Sequence, residues 1–135
     1  MTTFFCPSCW AGINEEQDPC PHCGCGISAY LEGKTYNDRL IDALNHPEPT
    51  TPVRAAYILG MRRDEAAVPF MARKASGTSD VYLALACVEA LGKIGSAAAR
   101  EALCRLSHDS RDIVAQKARE MLRGAIAKEG QNVDP

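Results

Sequence analysis

The sequence predicts a mainly α-helical chain, a short solenoid of about six helices behind a small cysteine-rich head. Three observations predict it. Between residues 35 and 128, apolar residues recur at the three- and four-residue steps of amphipathic helices. Within that span Leu59-Gly60 returns as Leu91-Gly92, 32 residues on, and Leu122 follows 31 residues later. Ahead of it, residues 1–28 hold five of the seven cysteines, four of them in two Cys-x-x-Cys pairs.

The clearest unit is the hairpin from Ser79 to Ser107. Val81, Leu85, Val88 and Leu91 share one face of its first helix, which Gly92 and Gly95 end. Ser96 is placed to cap a second helix in which Ala99, Leu103 and Leu106 share a face. Earlier, Tyr36, Leu40, Ile41 and Leu44 form the face of a leading helix, stopped by Pro47 and Pro49. Val53, Ala56, Tyr57 and Gly60 make the next stripe. Asp64 then caps a helix whose apolar residues are Val68, Phe70, Met71 and Ala75, with Pro69 in its opening turn or at a kink. Asp109 or Ser110 starts a closing helix buried through Ile113, Ala118, Met121, Leu122 and Ile126, and the polar stretch 129–135 reads as a disordered tail. A helix pair of this length cannot hide its own apolar face, so neighbouring pairs must stack. Tyr57, Phe70, Cys87 and Cys104 are accordingly read as core residues.

In the head, Cys6 and Cys9 lie in one Cys-Pro-x-Cys turn, Cys20 and Cys23 in another, with ten residues between the turns. Two such turns facing each other offer the four thiolates that zinc prefers at about 2.3 Å. So short a segment cannot bury a useful core, so one structural zinc ion must supply the folding energy. Paired disulfides fit an exported chain, and an iron site of rubredoxin type normally spaces its turns more widely. Cys25 can stand in as a fourth ligand but reads better as a bystander, and His22 as an exposed side chain.

Residues 1–28 resemble the short zinc-ribbon family found at the amino terminus of many bacterial proteins, matching at Phe5, Cys6, Pro7, Cys9, Cys20, Pro21, Cys23 and Gly24. Trp10 departs, standing where the family has a glycine that often takes positive φ. A distorted first turn with Trp10 exposed is one outcome of that departure. The favoured one is that Trp10 covers the metal site or packs on the helices. Residues 35–127, through PVRAAYILG with AAVPFMARKA and ACVEALGKIG with AAREALCRL, resemble the HEAT-like repeats first linked to phycobilisome lyases. That resemblance implies a right-handed solenoid with mostly protein-binding roles. It does not imply lyase activity, since a chromophore enzyme needs a longer array.

Formal net charge is −2, but residues 1–49 carry seven acids and two bases while residues 50–129 carry thirteen bases and nine acids. An acidic head argues against phosphate gripping there and suits docking on a protein, its own basic neighbour included. No apolar run reaches the ~20 residues that span a bilayer. The first residues lack the order of a secretion signal, and the paired cysteines favour metal over disulfides, so a reducing, cytoplasmic setting is expected.

No nucleophile–histidine frame surrounds His22, His46 or His108, and no phosphate-cradling loop is present, so no catalytic residues are assigned. The leading expectation is a non-catalytic adaptor. In the HEAT-like resemblance the second helix of each pair lines the concave side, which here would present Arg73, Lys74, Arg100 and Arg105, with Trp10 as a contact on the ribbon. An acidic protein surface is the natural partner. Nucleic-acid binding along the same face is the alternative, opposed by the pI near 5.9 and the lack of aromatic–basic interleaving. Oligomeric state stays open, a dimer covering one end of the array included.

Overall fold

The computed structural model describes residues 4–14 and 17–132, with side chains of the last helix as far as Gly124. Strands β1 (Phe4–Phe5) and β2 (Gly12–Ile13) pair antiparallel, Phe4 opposite Ile13 and Phe5 opposite Gly12. Among the described residues seven α-helices follow: α1 (Ile27–Glu32), α2 (Tyr36–Ala43), α3 (Thr50–Met61), α4 (Val68–Gly77), α5 (Val81–Ile94), α6 (Ala97–Leu106) and α7 (Asp112–Asn132). Sequence periodicity misses α1 because its six residues include no buried side chain, and the segment reads as linker. The closing helix continues to Asn132. Residues 133–135 of the expected tail lie outside the described residues, as do Glu15 and Glu16 of the acidic head and the side chain of Ile126.

Capping chemistry sets the boundaries. Thr35 and Asp38 form a reciprocal capping box at α2, which satisfies two free amides at once. Asp64 accepts the Ala66 N–H ahead of a 3-10 turn over Glu65–Ala67, and Pro69 lies in the opening turn of α4, where its missing N–H costs nothing. Asp80 accepts the N–H groups of Tyr82 and Leu83 at the start of α5, and Ser96 accepts the Ala99 N–H at the start of α6. Gly95, at φ +65°, takes the left-handed turn that ends α5. Gly92 does not end that helix but lies inside it.

Helix α5 is the centre of the body, packing against α3, α4, α6 and α7. It buries Leu83, Ala84, Cys87, Val88, Ala90 and Leu91, which join Leu59 of α3, Met71 of α4, Leu103 of α6 and Val114 of α7 in one core. The interior is made of small residues where helices cross and aliphatic residues between crossings. A Cβ on Gly60 would lie 2.8 Å from Ala90 Cα, so glycine is what lets α3 approach the α5 backbone. A Cβ on Gly92 would collide with the Met121 side chain of α7. The Leu-Gly repeat is therefore a repeated docking step, Gly60 on Ala90 and then Gly92 on Met121.

Several side chains expected inside face solvent. Tyr57 is 56% exposed and Phe70 43%, Ile113 is 54% exposed, and Cys104, unlike Cys87, is exposed. Tyr36 also faces out. On α3 the buried face runs through Pro52, Ala55, Ala56, Leu59 and Gly60, because close helix contact selects small residues and turns the ring of Tyr57 away. On α7 Ala118 is buried as expected, with Met121 and Leu122 half-buried after it, while Val114 and Ala115 are buried in place of Ile113. The exposed rings are covered by cations instead: Arg62 lies over Tyr36, Arg73 over Phe70 and Lys93 over Tyr57. Among the described residues, no helix is long and apolar enough to cross a membrane.

Candidate metal centre and groove

Two matching turns build the head. Trp10 N–H donates to the Cys6 carbonyl at 2.8 Å, and Gly24 N–H to the Cys20 carbonyl at 2.9 Å. Cys6 N–H then donates to Ala11, as Cys20 N–H does to Cys25. Trp10 and Gly24 hold equivalent places with φ of +61° and +77°. Tryptophan therefore takes the glycine conformation without disturbing the turn, a strain of about 1 kcal/mol that its ring contacts offset. Cys25 holds the place of Ala11 and contributes its carbonyl, which accounts for it as a bystander.

These turns bring the sulfurs of Cys6, Cys9, Cys20 and Cys23 within 4.8 Å of one another. The Cys6–Cys23 and Cys9–Cys20 separations are both 3.7 Å. A tetrahedral ion with four sulfurs at about 2.3 Å needs them about 3.8 Å apart, so the donor set fits zinc in number, kind and spacing. Cys6 and Cys20 are buried, Cys9 and Cys23 exposed. Backbone amides turn inward on the sulfurs, the His22 N–H reaching Cys20 Sγ at 3.4 Å. Burial raises the Cys6 thiol, but the N–H groups of Cys9 and Ser8 and the thiols of Cys23 and Cys20 outweigh it and bring it down to about 7. At Cys9 the Ala11 N–H acts downward, yet burial and the three neighbouring thiols push it up to about 12. Four sulfurs this close cannot all ionise alone, and a divalent cation is the charge that lets them. His22 is exposed.

The head rests on the helical body. The His46 ring, just after α2, takes Phe5 and Trp10 edge-on at centroid distances of 4.9 and 5.2 Å. Its Nδ1 accepts the Glu48 N–H at 3.0 Å, which fixes the ring orientation. Asp18, in the loop between the cysteine turns, accepts the N–H groups of Ile27 and Ser28 and the Ser28 hydroxyl, at 2.8, 3.1 and 2.6 Å. It therefore caps α1 from the ribbon. Neither His46 nor Asp18 carries a sequence motif for this role, since both partners are set by the folded arrangement.

Along the helical body, α4 separates two grooves. One, of about 530 Å³, runs between α2 and α4 and is lined by Asp42, Phe70, Arg73 and Lys74 among others. The second, of about 440 Å³, lies between α4 and α6 and takes Arg73, Arg105 and Asp109. Arg100 and Arg105 flank Cys104 in a further hollow on α6. The four basic residues picked out on α4 and α6 thus line neighbouring hollows, whereas Trp10 belongs to the ribbon contact with His46. Sequence inspection overlooked Arg111. It donates to the carbonyls of Thr78 and Ala75 at 2.7 and 2.6 Å and pairs with Asp109, so it ties the α6–α7 turn to the end of α4.

Searches of curated proteins and of solved structures return no significant match. Residues 37–123, more than half of the chain, match the profile described as HEAT repeats. Repeated docking of α3 on α5 and α5 on α7 is the three-dimensional counterpart of that match, and the chain belongs to the HEAT repeats family, with a four-cysteine hairpin ahead of the repeats.

Proposed function

We propose that this protein is a non-catalytic adaptor, a short solenoid that presents a basic groove to an acidic protein surface while a single zinc ion held by Cys6, Cys9, Cys20 and Cys23 supports the head. HEAT repeats are generic protein-interaction scaffolds, which supports the class of function. The observation that carries the reading is that Arg73 lines both grooves beside α4, joined by Lys74 in one and Arg105 in the other. The acids in those grooves, Asp42 and Asp109, are each engaged by a cation of their own, Lys34 and Arg111. A reducing, cytoplasmic setting suits four metal-binding thiols.

The test compares wild type with Arg73→Glu/Arg105→Glu as bait in native extract, with the captured proteins identified, alongside titration of a mixed-sequence DNA duplex across a salt series. The adaptor reading expects a defined set of captured proteins that the double variant loses, and no duplex binding at low salt. Duplex binding that collapses steeply with added salt would transfer the groove to nucleic acid instead.

A further inference from the structure

We propose that the metal ribbon is a ligand-controlled cap on the solenoid, and that metal loading governs the α2 wall of the α2–α4 groove through Asp18 and α1. The inference deepens the groove reading above and rests on it for the purpose of the regulation, though the coupling itself does not depend on any partner.

The argument follows a chain of contacts. Helix α1 has six residues and buries no side chain. A helix that short does not hold itself together, since nucleation costs more than its few hydrogen bonds return. Its order must come from its two ends. At the amino end the Asp18 carboxylate holds two backbone amides and a hydroxyl, the strongest form of cap available to it.

At the other end three polar contacts join α1 and its following turn to α2. Tyr30 donates its hydroxyl to Asp42 at 2.8 Å, Lys34 pairs with Asp42 at 3.5 Å, and Arg39 donates to the Leu31 carbonyl at 2.8 Å. Asp42 is one of the residues lining the groove, beside Arg73 and Lys74. The carboxylate is thus held on the α1 side of the wall, away from the two groove cations it would otherwise neutralise.

Asp18 is two residues before Cys20, and its placement depends on the turn that Cys20 and Cys23 form. With metal bound, that turn is fixed and Asp18 is aimed at α1. Without metal the head has little else to hold its shape, because Cys6 and Cys20 are the only buried side chains between Phe4 and Gly26 among the described residues. The cap is then lost, α1 frays, and Asp42 is freed from Tyr30 and Lys34 toward Arg73 and Lys74. Loss of metal therefore weakens the groove for an acidic partner without touching the core: α2 stays anchored by Leu40 and Leu44, which are buried in it.

Hydrogen exchange read by mass spectrometry on the full chain tests this, with metal content measured in parallel. Chelation is expected to speed exchange of amides 27–34 at least about tenfold, with a smaller rise over 35–45, while amides 83–94 of α5 keep their protection. Asp18→Ala, in protein that retains one metal ion per chain, is expected to reproduce the loosening of 27–34 and part of that in 35–45. Unchanged exchange over 27–45 in both the chelated protein and the loaded Asp18→Ala variant overturns the proposal. If chelation unfolds the entire chain, the loaded Asp18→Ala variant alone decides, and undisturbed exchange over 27–45 there is again the overturning result. Failure of the groove reading is a separate outcome, since it is seen in capture by Arg73→Glu/Arg105→Glu and leaves these exchange rates as they are.

Discussion

Between Phe4 and Gly26 the buried side chains among the described residues are the thiols of Cys6 and Cys20, whereas α5 alone buries Leu83, Ala84, Cys87, Val88, Ala90 and Leu91. The head brings four sulfurs to one point, and the body excludes water with its methyl groups. That contrast teaches where each region is fragile. On the proposed zinc reading, removing one donor takes away the main support of the head, while the body distributes its stability over many contacts and suffers by increments.

The largest effect is expected from Cys20→Ser. Metal binding supplies on the order of 10 kcal/mol to such small sites, so one lost thiolate should abolish stoichiometric zinc and disorder the head. Circular dichroism of the body should hardly change. Retention of one metal ion per chain with an ordered head would break the contrast at its root.

The two docking glycines sharpen it next. Gly60→Ala puts a methyl against the Ala90 backbone, which cannot yield, and should cost about 2 kcal/mol in denaturant unfolding. Gly92→Ala meets the Met121 side chain, which can turn aside, so its cost should stay under about 1 kcal/mol. Equal costs would mean that the Met121 side chain resists the added methyl as firmly as the Ala90 backbone does.

A smaller, pH-dependent effect belongs to the turn before α7. The Arg111 guanidinium beside Asp109 holds its carboxyl below the usual carboxylate range, although burial acts the other way. A depressed value means stability that is fully present above the unfolded carboxylate value of about 3.9 and lost as pH falls through the lower folded value. Asp109→Asn should therefore be less stable than wild type at pH 7 and converge with it toward pH 2, as followed by thermal melts. A constant gap between them would remove Asp109 as the titrating group.

The smallest expected change is a gain. Arg63 follows α3 in the left-handed region, at φ +52°, where a side chain is strained. Arg63→Gly should stabilise by about 0.5 kcal/mol, the relief being partly offset by the freer unfolded chain. A loss of stability would show that the Arg63 side chain makes a contact worth more than its strain.

Much of this molecule was legible in its residues. Cysteine spacing named all four sulfurs that converge, because ligand geometry is local to each turn. Leu59-Gly60 and Leu91-Gly92 exposed the repeat, and Ser96 and Asp64 marked helix starts, because capping is also local. What failed was the placing of single larger side chains where the core is built from small residues. On α3, Ala56 and Gly60 are inside as expected, but Ala55 and not Tyr57 joins them, where the helices approach closely enough for Gly60 to meet the Ala90 backbone. Ile113 lost its expected place to Val114 and Ala115 for the same reason of register. Contacts such as Trp10 with His46 and Asp18 with α1 join segments far apart in the chain, and no spacing rule reaches across that distance.

One consequence follows from the pairing of Gly60 with Ala90 and of Gly92 with Met121. Since the second junction repeats the first at nearly the same interval, a tandem duplication of one helical pair in the gene would present its new copy with a ready-made seat. In this architecture length can thus change by whole helical pairs.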